Sequence, residues 1–396
     1  MKQVELKADL TLNRNKLVII SVLVLILISG VVLGKILFGE FFSNKPDNNL
    51  TTASLQQINT QINDDRQNAI TRAVERVSPS IVGINVEEER EIRNPFFDDP
   101  FFRQFFGDPG SQKQIVRGLG SGFIISEDGY ILTNDHVAGN ATKISVTLTT
   151  GETVEAKLVG ADPNTDVALL KINKKGLPAV TFGNSDNVII GEWVIALGNP
   201  FGLFEINDKP TVTVGVLSAS GMKVNADGKR VYKDMLQTDA AINAGNSGGP
   251  LINAMGEVIG MNTIIYTGSS YSSGNIGIGF AISINRVKKI MEELKENGKI
   301  NREFNPGFRI QGIDEQIAKY FNLKDRYGVI VTQVVKNGSA DRAGLRPEDI
   351  ILYANGERIR NEQDLIMIVN DMRKGDILKM EILRNGDKKT IEMTLE

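Results

Sequence analysis

The sequence predicts a mainly β protein: a β barrel or sandwich as the main domain, a second, small sandwich or barrel behind it, and one N-terminal transmembrane helix. Three observations predict it. Residues 17–34, LVIISVLVLILISGVVLG, carry no charge. From about residue 80 to Phe280, short apolar and β-branched runs alternate with turn residues, and no helical stripe intervenes. Beyond Arg302, two Asn-Gly turns, Asn355-Gly356 and Asn385-Gly386, join further strand-like runs.

The uncharged run covers roughly 27 Å as a helix, and residues 35–38, with Lys35 snorkelling, bring it to bilayer thickness. Lys2, Lys7, Arg14 and Lys16 precede it, while Lys35 and Lys45 follow more sparsely. The positive-inside bias therefore predicts a cytoplasmic tail at 1–16, a membrane helix at 17–38 and everything later outside the cell membrane. A cleaved secretory signal is the rival reading. The run exceeds an ordinary signal core, and no A-x-A site follows closely, which favours an uncleaved single-pass anchor. Residues 39–68 are polar, with Asn-, Thr- and Gln-rich stretches that suit a linker.

Ile70, Ala73, Val74 and Val77 recur at helical spacing and stop before Pro79, so a short amphipathic helix opens the folded part. Strands are expected at 80–86, 122–125, 130–133, 144–148, 192–197, 211–219 and 251–262, with Asp128-Gly129 among the turns. The period then changes. Val287, Ile290, Met291 and Leu294 form a helical stripe between Ser283 as N-cap and Gly298 as stop, closing a main domain over 69–299. The second domain, 300–396, holds five or six strands and a helix over 361–372 that turns Leu365, Ile368, Val369 and Met372 inward.

Composition excludes several functions. Lys and Arg number 45 against 48 Asp and Glu, a formal charge of −3, so no basic field attracts a phosphate backbone and no nucleic-acid partner is expected. The absence of cysteine removes disulfides, zinc ribbons and a thiol nucleophile. One histidine rules out a multi-histidine metal site and makes His136 the natural proton shuttle near neutral pH. Neither metal nor organic cofactor is expected.

The strongest local signal is Gly245-Asn246-Ser247-Gly248-Gly249-Pro250. Glycines on both sides let the backbone fold tightly, so that the hydroxyl projects while neighbouring N–H groups converge on a developing oxyanion. A serine needs a base, and the base needs a carboxylate to fix its tautomer. His136 ends the strand-like run ILTNDHV, and thirty residues later Asp166 stands in DPNTDVALL. Each has a plain reading by itself: a turn, a packed histidine, the start of a strand. Their joint occurrence in the order His, Asp, Ser inside one β-rich segment favours a nucleophilic acyl-transfer site. The stretch Gly118-Leu119-Gly120-Ser121-Gly122 invites a phosphate-loop reading, but another strand follows it rather than a helix, so close packing in a barrel is expected.

The elements ILTNDHV, DVALLKI and TDAAINAGNSGGPL resemble the three catalytic segments of the HtrA/DegP family of serine proteases, and the likeness extends over about residues 69–396. The resemblance implies a chymotrypsin-like double β-barrel followed by a PDZ domain. It implies Ser247 as nucleophile, His136 as general base, Asp166 as its orienting partner, and the Gly245 and Ser247 N–H groups as oxyanion hole. It further implies an ATP-independent endopeptidase that degrades misfolded or damaged extracytoplasmic proteins under stress and assembles as a homotrimer or larger cage. Substrate contacts are expected at Ala241, six residues before the nucleophile and uncharged, which favours cleavage after aliphatic residues, and at Ile278. Phe308 and Ile310, after Gly307, occupy the expected carboxylate-binding loop of the PDZ domain, where peptide C-termini or strands would bind; Arg309 replaces a second glycine there. Residues 94–107, NPFFDDPFFRQFFG, resemble a regulatory loop, and 266–275 a specificity loop. Ala244 stands where the family has proline, and Asp135 sets a second negative charge beside the imidazole. A membrane-tethered chaperone or peptide-binding scaffold, and a signalling protease with one membrane partner, are the alternatives.

Overall fold

The structure is a computed structural model. It describes residues 14–42, 66–92, 112–199, 204, 207–224, 230–243, 245–265 and 275–396, which divide into two units, 1–67 and 68–396. The aromatic loop at 94–107, the loop at 266–274 and Ala244 lie outside the described residues.

In the first unit, helix α1 (Arg14–Phe42) takes in the uncharged run and continues past its expected end at residue 38. The large apolar side chains described along it, from Val18 to Leu33, are all exposed. Among the described residues no helix is long and apolar enough to cross a membrane.

The second unit opens with α2 (Ala69–Val77). Asn68 and Thr71 form a capping box, each side chain accepting from the other's backbone N–H, at 3.0 and 2.9 Å, and Ala73 and Val77 are buried. Strands β1 (Ile81–Ile92), β2 (Gln112–Ile124), β3 (Tyr130–Thr133), β4 (Lys143–Leu148), β5 (Thr153–Asp162) and β6 (Val167–Ile172) close a barrel in the order β1-β2-β3-β6-β5-β4, with helix α3 (Asp135–Ala138) after β3. The next strands are β7 (Thr181–Phe182), β8 (Trp193–Gly198), β9 (Thr211–Val224), β10 (Tyr232–Thr238), β11 (Pro250–Asn253), β12 (Glu257–Ile265) and β13 (Gly279–Ser283). They run β11-β8-β9-β10-β13-β12-β7, and β12 pairs back onto β11, closing a second ring.

Neighbouring residues on these strands serve different cores. Ile124, Ile131 and Leu170 pack with Val82, Ile84 and Val146 in one cluster, and Ala196, Leu236 and Leu251 pack together in another. Their chain neighbours Phe123, Leu132, Leu169, Ile195, Met235 and Ile252 share a third cluster to which both barrels contribute. Strands buried on both faces read as continuous apolar runs, which is why ILT, VALLKI and VIALG show no alternation. The expected strand at 251–262 is two strands, because Asn253 Oδ1 accepts the Met255 and Glu257 amides at 3.0 Å and the chain turns through Gly256 at φ 78°. The strands β5, β7, β10 and β13 were not among those expected. The glycines of β2 are close-packed as expected: a Cβ on Gly120 would lie 2.5 Å from Val137 Cγ1.

Helix α4 (Ile284–Asn297) lays Ile284, Val287, Ile290 and Leu294 into the shared core. Ser283 is its N-cap residue but makes no side-chain capping bond; Gly298 ends it in the left-handed conformation, φ 71°. The remaining strands, β14 (Phe308–Gly312), β15 (Val329–Val334), β16 (Ile350–Ala354), β17 (Glu357–Arg358), β18 (Ile377–Arg384) and β19 (Asp387–Thr394), form one sheet in the order β14-β15-β16-β18-β19, with β17 on β16. Asn355-Gly356 and Asn385-Gly386 make the two tight turns, all four residues at positive φ. Helix α5 (Glu315–Tyr320), the single-turn α6 (Ser339–Arg342) and α7 (Glu362–Asp371) complete the sheet's cover, with Leu365, Ile368, Val369 and Met372 in its core as expected. Ion pairs tie this part to the barrels: Arg302 with Asp162, Arg286 with Asp371 at 2.5 Å, and Arg373 with Glu293 at 2.6 Å.

Candidate active site

At the end of β3, Thr133 Oγ1 donates to the Ser121 carbonyl at 2.7 Å and the chain turns into α3. Asn134 caps that short helix with its carbonyl, which accepts the Val137 and Ala138 amides, and its side-chain amide donates to the Asp166 carbonyl at 2.9 Å. This ties the start of α3 to the β5–β6 turn and sets His136 against Asp166. His136 Nδ1 lies 2.8 Å from Asp166 Oδ2 and 2.9 Å from Oδ1, and the His136 amide donates to Oδ1 at 3.0 Å.

Asp166 adopts φ 60°, a left-handed conformation that aspartate tolerates better than most residues. Its side chain is fully buried. Two further donors reach it from the second barrel, Thr263 Oγ1 on β12 at 2.5 Å and the Tyr232 hydroxyl on β10 at 3.2 Å. Burial pushes the Asp166 carboxyl up, but the hydrogen bond and charge of His136, then the Thr263 hydroxyl, outweigh it and hold the group below the ordinary carboxylate range. Burial and the Asp166 charge push the Tyr232 phenol up, so it remains a donor. The neighbouring Asp135 carboxyl moves the other way: burial, then the charge of Asp166, push it up to about 6.

Ser247 stands in the turn between β10 and β11, flanked by Gly245 at φ 102° and Gly248 at φ 84°. A Cβ on Gly248 would lie 2.3 Å from the Ser121 carbonyl, and one on Gly249 2.1 Å from the Leu197 carbonyl, so only glycine lets this loop press against β2 and β8. Ser121 holds the loop in place: its amide donates to the Ser247 carbonyl at 3.0 Å, its hydroxyl donates to the Gly245 carbonyl, and that hydroxyl accepts the Asn199 amide at 2.7 Å. The Ser247 hydroxyl donates to the Thr263 carbonyl at 3.2 Å. Among the described residues no hydrogen bond joins Ser247 to His136, yet His136, Gly245 and Ser247 line one cavity of about 320 Å³ with Val86, Glu88 and Leu119.

Ala241 and Ile278 are not among the residues lining that cavity. Ala241 is half-buried and its carbonyl accepts Thr213 Oγ1 at 2.8 Å; Ile278 packs against the shared core. Phe308 and Ile310 are half-buried on β14, which among the described residues is an edge strand paired only with β15, behind Gly307 at φ 74°. Thr263, Tyr232 and Ser121 escaped sequence reasoning. The one signal available for Thr263 was a polar residue interrupting the apolar run of β12. Among the described residues no group of acidic or histidine side chains has the makings of a metal site.

Residues 120–261 match the trypsin-like peptidase domain family, and residues 284–395 match the PDZ domain family. The probable periplasmic serine endoprotease DegP-like of Chlamydia trachomatis is 47% identical over 309 residues, which cover 76% of this chain and 59% of that relative. The protein of the same description from Ectopseudomonas mendocina is 41% identical over 342 residues, 82% of this chain and 70% of the relative. The chain thus spans about 59% of the former's length. Among solved structures, a variant of the HtrA-type protease AlgW with a decapeptide is similar at a TM-score of 0.68, with 38% identity over 82% of this chain and 96% of that one. The serine endoprotease from Yersinia pestis is similar at 0.55, with 32% identity over 83% and 98%.

Proposed function

Because the chain belongs to the HtrA-type, DegP-like family of serine endoproteases, we propose that it hydrolyses peptide bonds through an acyl-enzyme, with Ser247 as nucleophile, His136 as general base and Asp166 as its orienting partner. The observation that carries this is the sole imidazole, held through Nδ1 by a buried, ionised carboxylate, opening with Ser247 onto a single cavity. In that reading His136 takes the Ser247 proton during attack and passes it to the leaving amine, while the Gly245 and Ser247 amides hold the oxyanion. Stabilisation of the imidazolium falls to Asp166, whose four donors keep it charged. A serine-reactive fluorophosphonate is expected to label the wild-type chain and not Ser247→Ala; equal labelling of both would refute the assignment.

The domain bounds belong to the same reading: residues 69–299 as protease and 300–396 as PDZ domain. The PDZ match begins at 284, but α4 buries its apolar stripe in the barrels' shared core, which favours counting it with the protease. Ala241 and Ile278 as substrate contacts, and peptide capture at Phe308 and Ile310 by strand addition to β14, rest on the resemblance and, for β14, on its second edge being unpaired among the described residues. ATP-independent degradation of damaged extracytoplasmic proteins, and assembly as a trimer or larger, rest on the family and on relatives described as periplasmic. The membrane anchor rests on the uncharged run within α1. It predicts that the full chain pellets with membranes through alkaline extraction, whereas a chain starting at Asn68 washes off.

A further inference from the structure

Alternate residues of β2 face opposite ways. Gly118 and Gly120 turn into the first barrel, where a Cβ on either would strike Val86 or Val137 of its core. Phe123 faces outward and joins the core shared with the second barrel, and Ser121, on the same face, holds the Ser247 turn through its amide and hydroxyl. Leu119 is the next outward position, roughly 7 Å back along the strand. It is 52% exposed, and it lines the cavity that also takes in His136 and Ser247. Apart from Gly245 and Ser247, the described residues lining that cavity lie on β1, β2 and α3, all in the half of the molecule that carries His136, and neither Ala241 nor Ile278 is among them. One step further out, Arg117 is 82% exposed and stands opposite Glu87 in the strand register, 3.5 Å away, a surface pair worth little. The wall thus offers an apolar surface beside the nucleophile and a paired positive and negative charge beyond it.

We propose that Leu119 is a specificity-determining contact on the leaving side of the scissile bond, where it selects a large apolar side chain at one of the first two substrate residues after the cut. This rests on the reading of Ser247, His136 and Asp166 given above. In that reading the imidazole protonates the departing amine, so the segment that leaves starts beside His136, on the side where the cavity lies. An extended substrate advances roughly 7 Å in two residues, the same span that separates Ser121 from Leu119, so a side chain within it meets Leu119 and covers its exposed area. Val86 and Val137 line the same cavity and extend the apolar wall. The selection acts in the first chemical step, because the amine segment departs when the acyl-enzyme forms.

The test is kcat/KM of the full chain on unstructured quenched peptides that share one sequence up to the cut and carry leucine, alanine or aspartate at the first or second residue after it, with mass spectrometry of the products fixing the bond cut. Wild type is expected to favour leucine over alanine by about five- to tenfold at one of the two positions. Leu119→Ala should bring that ratio below about twofold by losing rate on the leucine peptide. Leu119→Arg should invert the preference, the aspartate peptide overtaking the leucine peptide, a gain that lost packing alone does not produce. Should Leu119→Arg fail to fold, Leu119→Ala still decides, because its ratio compares two peptides on one enzyme. A wild type indifferent at both positions, or variants that slow all the peptides equally, would overturn the subsite alone, provided that Ser247→Ala abolishes hydrolysis. Hydrolysis persisting in Ser247→Ala would overturn the site itself, and this subsite with it.

Discussion

Thr263 serves both halves of the site. Its hydroxyl donates to Asp166 and its carbonyl accepts from Ser247. Thr263→Val keeps the shape and the carbonyl but leaves a buried carboxylate short of one donor, a loss of about 1–3 kcal/mol. The expected result is a kcat lowered roughly tenfold with KM nearly unchanged, and steady-state kinetics against wild type checks it. His136, Asp166 and Ser247 could be singled out in the sequence because the chemistry demands particular residue types and the chain has one histidine. Thr263 was not, since it meets Asp166 across 97 residues of chain and a hydroxyl in a strand has no signature of its own. The same holds for Ser121, whose hydroxyl reaches the Gly245 carbonyl across 124 residues, and for Tyr232. Donors chosen by geometry alone are invisible until the fold brings them near.

Elements were legible where one physical signal dominated. The Asn-Gly turns, the capped helix at 69–77 and the left-handed stop at Gly298 all stand where local chemistry predicts them. The run 251–262 was misread because apolar residues dominate both its strands, and the turn depends on Asn253 accepting two backbone amides. Two glycines at one junction separate conformational from steric need. Gly298 has φ 71°, and a Cβ there would come no closer than 3.5 Å to any neighbour, so Gly298→Ala is expected to cost about 1 kcal/mol through backbone strain alone. A Cβ on Gly160 would sit 2.2 Å from the Gly298 carbonyl oxygen, so Gly160→Ala must push α4 off β5 and is expected to cost more, about 2–3 kcal/mol. Urea denaturation of both variants measures the order.

At the scale of the molecule, the C-terminal sheet is fastened to the barrels by partly buried ion pairs. Arg286 and Asp371 are 11% and 20% exposed, and Arg286 reaches both carboxylate oxygens. Burial would raise the Asp371 carboxyl, yet the hydrogen bond and charge of Arg286 hold it below the ordinary range. A depressed folded-state value means that its contribution is present above the unfolded carboxylate range and is lost as pH falls through the folded value. Calorimetry is therefore expected to show coupled melting of barrels and sheet near neutrality, separating into two transitions in acid. Asp371→Asn should separate them already at neutral pH; one unchanged transition in that variant would refute the coupling. A different consequence follows from how the two rings divide the chemistry. Histidine and its carboxylate come from the first ring, while the hydroxyl and Thr263 come from the second, which the ribosome makes later. On the proposed assignment, a half-made copy therefore carries the imidazole and its carboxylate without the hydroxyl, and activity waits until both rings have closed upon each other.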